Sequence, residues 1–117
     1  VTSDHIAQLA LTALRASDAA KQARREFSDA VAACVDYKAS DEDRTAWKFH
    51  RLTGSDPVSG TWHVKWVDAL GNDASDAPEV VRNKQAWQAL RDARKAAGIA
   101  KANLTRALRR WEKDGTP

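Results

Sequence analysis

The chain has 117 residues, enough for one compact domain or one extended helical unit and too few for two ordinary domains with separate cores. Apolar residues make up 43% and charged residues 30%, with a net charge of only +3. That balance fits a folded soluble protein, since disorder needs low hydrophobicity with high net charge. The single cysteine, Cys34, rules out a disulfide or a cysteine-based zinc cluster within one chain, and no run approaches the roughly 18 consecutive apolar residues of a transmembrane helix.

A reducing, cytoplasmic location with no membrane partner is therefore expected. The stretch Ile6 to Leu14 follows Asp4 with no basic residue before it and carries Gln8 and Thr12, so it reads as helix and not as a signal segment. Alanine supplies 23 residues while aromatics are 7%, which predicts a thin, close-packed core and favours helices. There is no methionine, so Val1 is either a residue left by processing or, the preferred reading, a non-ATG start codon translated literally. With 11 Arg against 8 Lys, this suggests a GC-rich bacterial or phage gene.

The first flank begins with Thr2 or Ser3 as N-cap and Asp4 in the first turn, where a carboxylate meets the helix dipole favourably. Ile6, Leu9, Ala13, Ala16, Ala20, Ala23, Phe27, Ala30, Cys34 and Tyr37 then recur at alternating steps of 3 and 4, the a/d spacing of a heptad seam. Such a pattern predicts one long helix over residues 3–39.

The middle, residues 40–77, holds Gly54, Pro57, Gly60 and Gly71 and most of the aromatic surface. Ser40 and Asp43 have capping-box spacing, which predicts a short helix from about Asp41 to Leu52. Over Thr61 to Leu70, Trp62, Val64 and Trp66 alternate as a strand would, while Trp62, Trp66 and Leu70 repeat at helical spacing; helix is the preferred reading. Trp47, Phe49, Trp62, Trp66 and Trp87 are expected to form an aromatic cluster at the tip, with Val31, Val35, Val80 and Val81.

The last flank, residues 78–114, starts near Asp76, with Glu79 completing a capping box and Pro78 tolerated in the first turn. Its seam is Ala86, Leu90, Ala93, Ala97, Ala100, Leu104, Ala107 and Trp111, and Gly115 supplies the stop. Equal flank lengths point to antiparallel pairing. Facing positions whose numbers sum to about 120 would set Leu9 against Trp111 and Ala20 against Ala100, and one heptad of slip preserves the pattern. The expected fold is all-α: a long antiparallel two-helix hairpin, an alanine-rich coiled coil with a Trp-rich helical or irregular tip, about 75% or more helical.

Catalytic or metal chemistry finds little support. Asp41, Glu42 and Asp43 cluster at a helix start, where the dipole explains them. His50, Asp56 and His63 match no established ligand spacing, and Cys34 reads as a small buried thiol. No enzymatic activity, cofactor or metal is expected. The C-terminal 39 residues hold ten basic and four acidic side chains, and Arg91, Arg94, Lys101, Arg106 and Arg109 could neutralise nucleic-acid phosphates. Leu11, Leu14, Leu108 and Trp111 lie outside or at the open end of the seam, where a second hairpin could pack into a four-helix arrangement.

The run Ile6 to Val31, followed by Ala86 to Ala97, resembles short Ala/Arg-rich proteins encoded in prophages of GC-rich proteobacteria. The resemblance covers only the two flanks and implies an origin, not an activity. The resulting expectation is a non-enzymatic interaction protein that binds another protein and self-associates. The alternative is a nucleic-acid-binding accessory factor.

Overall fold

The computed structural model describes residues 2–34, 48–55 and 57–114. Two long helices, α1 (Ser3–Ala32) and α2 (Pro78–Lys113), bracket a two-stranded antiparallel sheet of β1 (Phe49–Ser55) and β2 (Trp62–Asp68). The protein is mostly helical, but it is not all-α. With 30 and 36 residues, the helices make up two thirds of the described residues, short of the expected three quarters.

Each helix start follows from local chemistry. Thr2 is the N-cap of α1: its Oγ1 accepts a hydrogen bond from the His5 N–H at 3.1 Å, satisfying one of the donors that a first turn leaves unpaired. Pro78 is the first residue of α2, where its missing N–H costs nothing and its fixed φ suits the helix. The α2 cap is thus Ala77, whose carbonyl accepts from the Val81 N–H at 2.9 Å, and not Asp76. The α1 helix turns at residues 33 and 34, where the Cys34 N–H reaches the Val31 carbonyl at 3.0 Å. Residues 35–39 of the expected first helix lie outside the described residues.

The middle segment corrects the helical reading. Residues 41–47 of the expected short helix lie outside the described residues, and Phe49 to Ser55 is strand. Trp62 to Asp68 pairs with it, from Phe49 against Asp68 to Ser55 against Trp62. The alternation of Trp62, Val64 and Trp66 prevailed over the four-residue spacing because Phe49 to Ser55 pairs along its whole length. Gly60, at φ 71°, takes the left-handed conformation that only glycine adopts cheaply. Beyond β2 the chain folds back: Asp68 Oδ1 accepts from the N–H groups of Leu70 and Asn72 at 2.9 and 3.0 Å, and the Ala74 N–H bonds the Trp66 carbonyl at 2.9 Å. Asp73 accepts from both the Ser75 hydroxyl (2.6 Å) and its N–H (3.0 Å), and these bonds hold its carboxyl below the usual range.

The chain forms two compact units. Unit 2, Phe27–Ala86, has a core of Cys34, Phe49, Trp66, Ala74 and Val80, with Ala77 packed against it. A two-stranded hairpin is marginal alone. Here Phe49 and Trp66, which share one face of the paired strands, supply its anchorage. The Cys34 carbonyl also accepts from the Lys48 N–H at 2.8 Å, and Lys48 Nζ lies 3.8 Å from Glu79 Oε1. Of the expected tip cluster, Phe49 and Trp66 meet in this core with Val80; Trp87 is instead 40% exposed on α2 and belongs to unit 1. Trp47 and the Trp62 side chain lie outside the described part.

Unit 1 joins Val1–Glu26 to Trp87–Pro117. Every seam position from Ile6 to Cys34 and from Ala86 to Trp111 is buried or half-buried, while most positions between them are exposed. The register, however, lies one heptad from the expected pairing. Cys34 Sγ donates towards the Glu79 carbonyl at 3.8 Å, seven residues before Ala86, and Leu9 shares a cleft with Asn103, Arg106 and Ala107, not with Trp111. This register sets Leu9 level with Leu104 and Ala20 level with Ala93 within unit 1.

Candidate functional site

Charge is divided between the units. Unit 1 carries twelve basic and six acidic side chains, unit 2 seven and ten. At about 100° per residue, Arg91, Arg94, Lys95, Lys101, Arg106 and Arg109 fall within an arc of about 140° on α2. All six are exposed, and among the described residues none of them lies within ion-pair distance of a carboxylate. The expected nucleic-acid contacts thus share the outward side of one helix in unit 1, although heptad letters scatter them over four positions.

The expected partner surface is also in unit 1. From Ile6 to Leu14 no residue is charged. Ile6 and Leu9 are half-buried on the seam, whereas Leu11 is 44% and Leu14 59% exposed on the other side of α1. On α2, Leu108 is 39% exposed and Trp111 half-buried.

A cleft of about 360 Å³ opens in the same unit, lined by His5 and Leu9 from α1 and by Asn103, Arg106, Ala107 and Arg110 from α2. Residues at i and i+4 share a helix face, which brings His5 and Leu9 together and stacks Arg106 and Arg110 one turn apart. Arg106 Nη2 donates to Asn103 Oδ1 at 2.6 Å. Of these lining residues only Arg106 was expected from the sequence to serve a ligand. The others could not be found without the register, because His5 and Arg110 lie at opposite ends of the chain.

Cys34 is fully buried. Burial pushes its thiol up, and the Glu79 carboxylate adds to the rise, against smaller opposing effects of Arg82 and Lys48. Such a thiol is a poor nucleophile at neutral pH. Of the weighed metal set, Asp56 and the His63 side chain lie outside the described part, as do Asp41, Glu42 and Asp43. No helix among the described residues is long and apolar enough to cross a membrane.

Comparison with protein-family models, with curated proteins and with solved structures finds no match for this chain.

Proposed function

We propose that the protein is a non-enzymatic interaction protein, an antiparallel, alanine-seamed helix pair that self-associates and presents its helices to a protein partner. The observation carrying this reading is the uncharged stretch from Ile6 to Leu14, whose Leu11 and Leu14 stay 44% and 59% exposed on the side away from the seam. Leucines left open to water on a helix face ordinarily mark a surface that another element covers. A second pair of helices would cover Leu11, Leu14 and Leu108 as in a four-helix arrangement. The phage or host setting suggested by the sequence resemblance suits a small adaptor of this kind.

Sedimentation equilibrium tests this reading. Wild type is expected to sediment as a dimer or larger, and Leu11→Lys with Leu14→Lys as a monomer of unchanged helicity. A monomeric wild type, or an unchanged mass in the double variant, overturns it.

The outward basic arc of α2 favours a second reading, binding of a nucleic-acid backbone. Neutralising phosphates releases counterions, so affinity should fall steeply with salt. Changing Arg91, Arg94, Lys101, Arg106 and Arg109 together to Gln is expected to abolish low-salt DNA binding. Unaltered affinity in that variant ends this reading.

A further inference from the structure

We propose that the cleft in unit 1 binds a small organic oxyanion, a phosphate monoester or carboxylate carried on an apolar body. The inference goes beyond both readings above and depends on neither. It rests on how two kinds of surface are arranged within about 360 Å³, a volume within the range of roughly 300–1,000 Å³ typical of small-ligand sites.

The floor is hydrocarbon. Ala107 is buried on the α2 seam and Leu9 is half-buried on the α1 seam. The rim is polar and cationic: His5, Asn103, Arg106 and Arg110, all exposed. Among the described residues no carboxylate lines the cleft, Asp4 included, and none lies within ion-pair distance of Arg106 or Arg110.

Arg106 is held in place by its bond to Asn103. That contact uses one of the five N–H donors of the guanidinium and leaves the others for a ligand. Arg110, one turn further along α2, brings a second planar fork. Paired guanidiniums match the oxygens of carboxylate and phosphate in a bidentate way that lysines do not. His5 closes the opposite side from the first turn of α1, where the dipole also favours a negative charge.

A nucleic-acid backbone is a poorer fit, since it has no apolar group to lay over Leu9 and Ala107. Arg110 and Asn103 also lie beyond the outward arc of α2. A partner helix is a poorer fit as well, because arginines edge the cleft where leucines would be needed. The cleft residues occupy heptad positions c, d and g, while Leu14 and Leu108 occupy b and e, so ligand binding and helix docking use different sides of the same unit.

Titration of the full chain with phenyl phosphate, benzoate and inorganic phosphate, followed by calorimetry and amide chemical shifts, tests the proposal. Phenyl phosphate or benzoate is expected to bind and shift the His5, Asn103 and Ala107 amides, the tighter of the two assigning the head group. Inorganic phosphate should bind about tenfold more weakly, because it leaves the apolar floor unused. Arg106→Gln with Arg110→Gln should weaken binding by more than about tenfold, whereas Arg24→Gln with Arg25→Gln, which removes the same charge from the exposed surface of α1, should leave it unchanged. Should the cleft variant fail to fold, Arg110→Lys keeps the charge and loses the fork, and it too should weaken binding. No binding by wild type overturns the proposal, as do equal losses in the cleft and control variants or equal affinity for inorganic and phenyl phosphate.

Discussion

At Cys34 a single side chain reports how tightly unit 2 is closed. Its S–H points at the carbonyls of Ala30 (3.5 Å) and Glu79 (3.8 Å), and it is fully buried beside Val80. Because burial raises the folded thiol above its ordinary value near 9.0, its contribution to stability is complete below that value. It is lost as pH rises through the higher folded value, since the unfolded thiol then ionises first. Two outcomes follow from this. Thiol reagents should label the native protein slowly at neutral pH and quickly in urea, and alkaline pH should lower the urea midpoint of wild type more than that of Cys34→Ala. Fast native labelling would mean that the Cys34–Glu79 contact is not made in solution.

At the scale of the element, the alanine seam makes a volume prediction. Ala20 is half-buried and level with Ala93, whereas Ala32 is exposed near the end of α1. Leucine at position 20 must force the helices apart, and overpacking of that kind costs roughly 1–3 kcal/mol, while Ala32→Leu should be nearly neutral. Paired urea unfolding of Ala20→Leu and Ala32→Leu measures the difference, and equal midpoints would refute a close seam. The seam was legible because 3-and-4 spacing is a property of one helix and needs no partner to be read. The strands were not. Trp62, Trp66 and Leu70 satisfy a helical period as well as Trp62, Val64 and Trp66 satisfy a strand period, and the choice was made by pairing with Phe49 to Ser55 and by the return of Ala74 onto Trp66. Those are long-range terms that no local window contains.

Across the whole molecule, the candidate cleft was illegible for a related reason. Arg106 could be picked out as one of many basic residues, but its neighbours depend on register, and a seam dominated by alanine is almost as well satisfied one heptad away. Within unit 1 the shared cleft admits only one of the two alignments, the one that Cys34 against Glu79 also gives within unit 2. That same contact governs the order in which the chain can assemble. Joining His5 to the level of Arg110 directly would close a loop of about a hundred residues, and closure cost grows with length. The strands are neighbours in sequence, and Cys34 and Glu79 are separated by 45 positions, so unit 2 closes over shorter loops. Unit 2 is therefore expected to form before unit 1 and to open after it. Native-state hydrogen exchange should find the amides near Val80 and Leu90 slowest and those of Ile6–Ala10 and Thr105–Arg110 fastest. A ligand seated between His5 and Arg110 would then hold unit 1 closed, slowing exchange far more at the termini than beside the sheet.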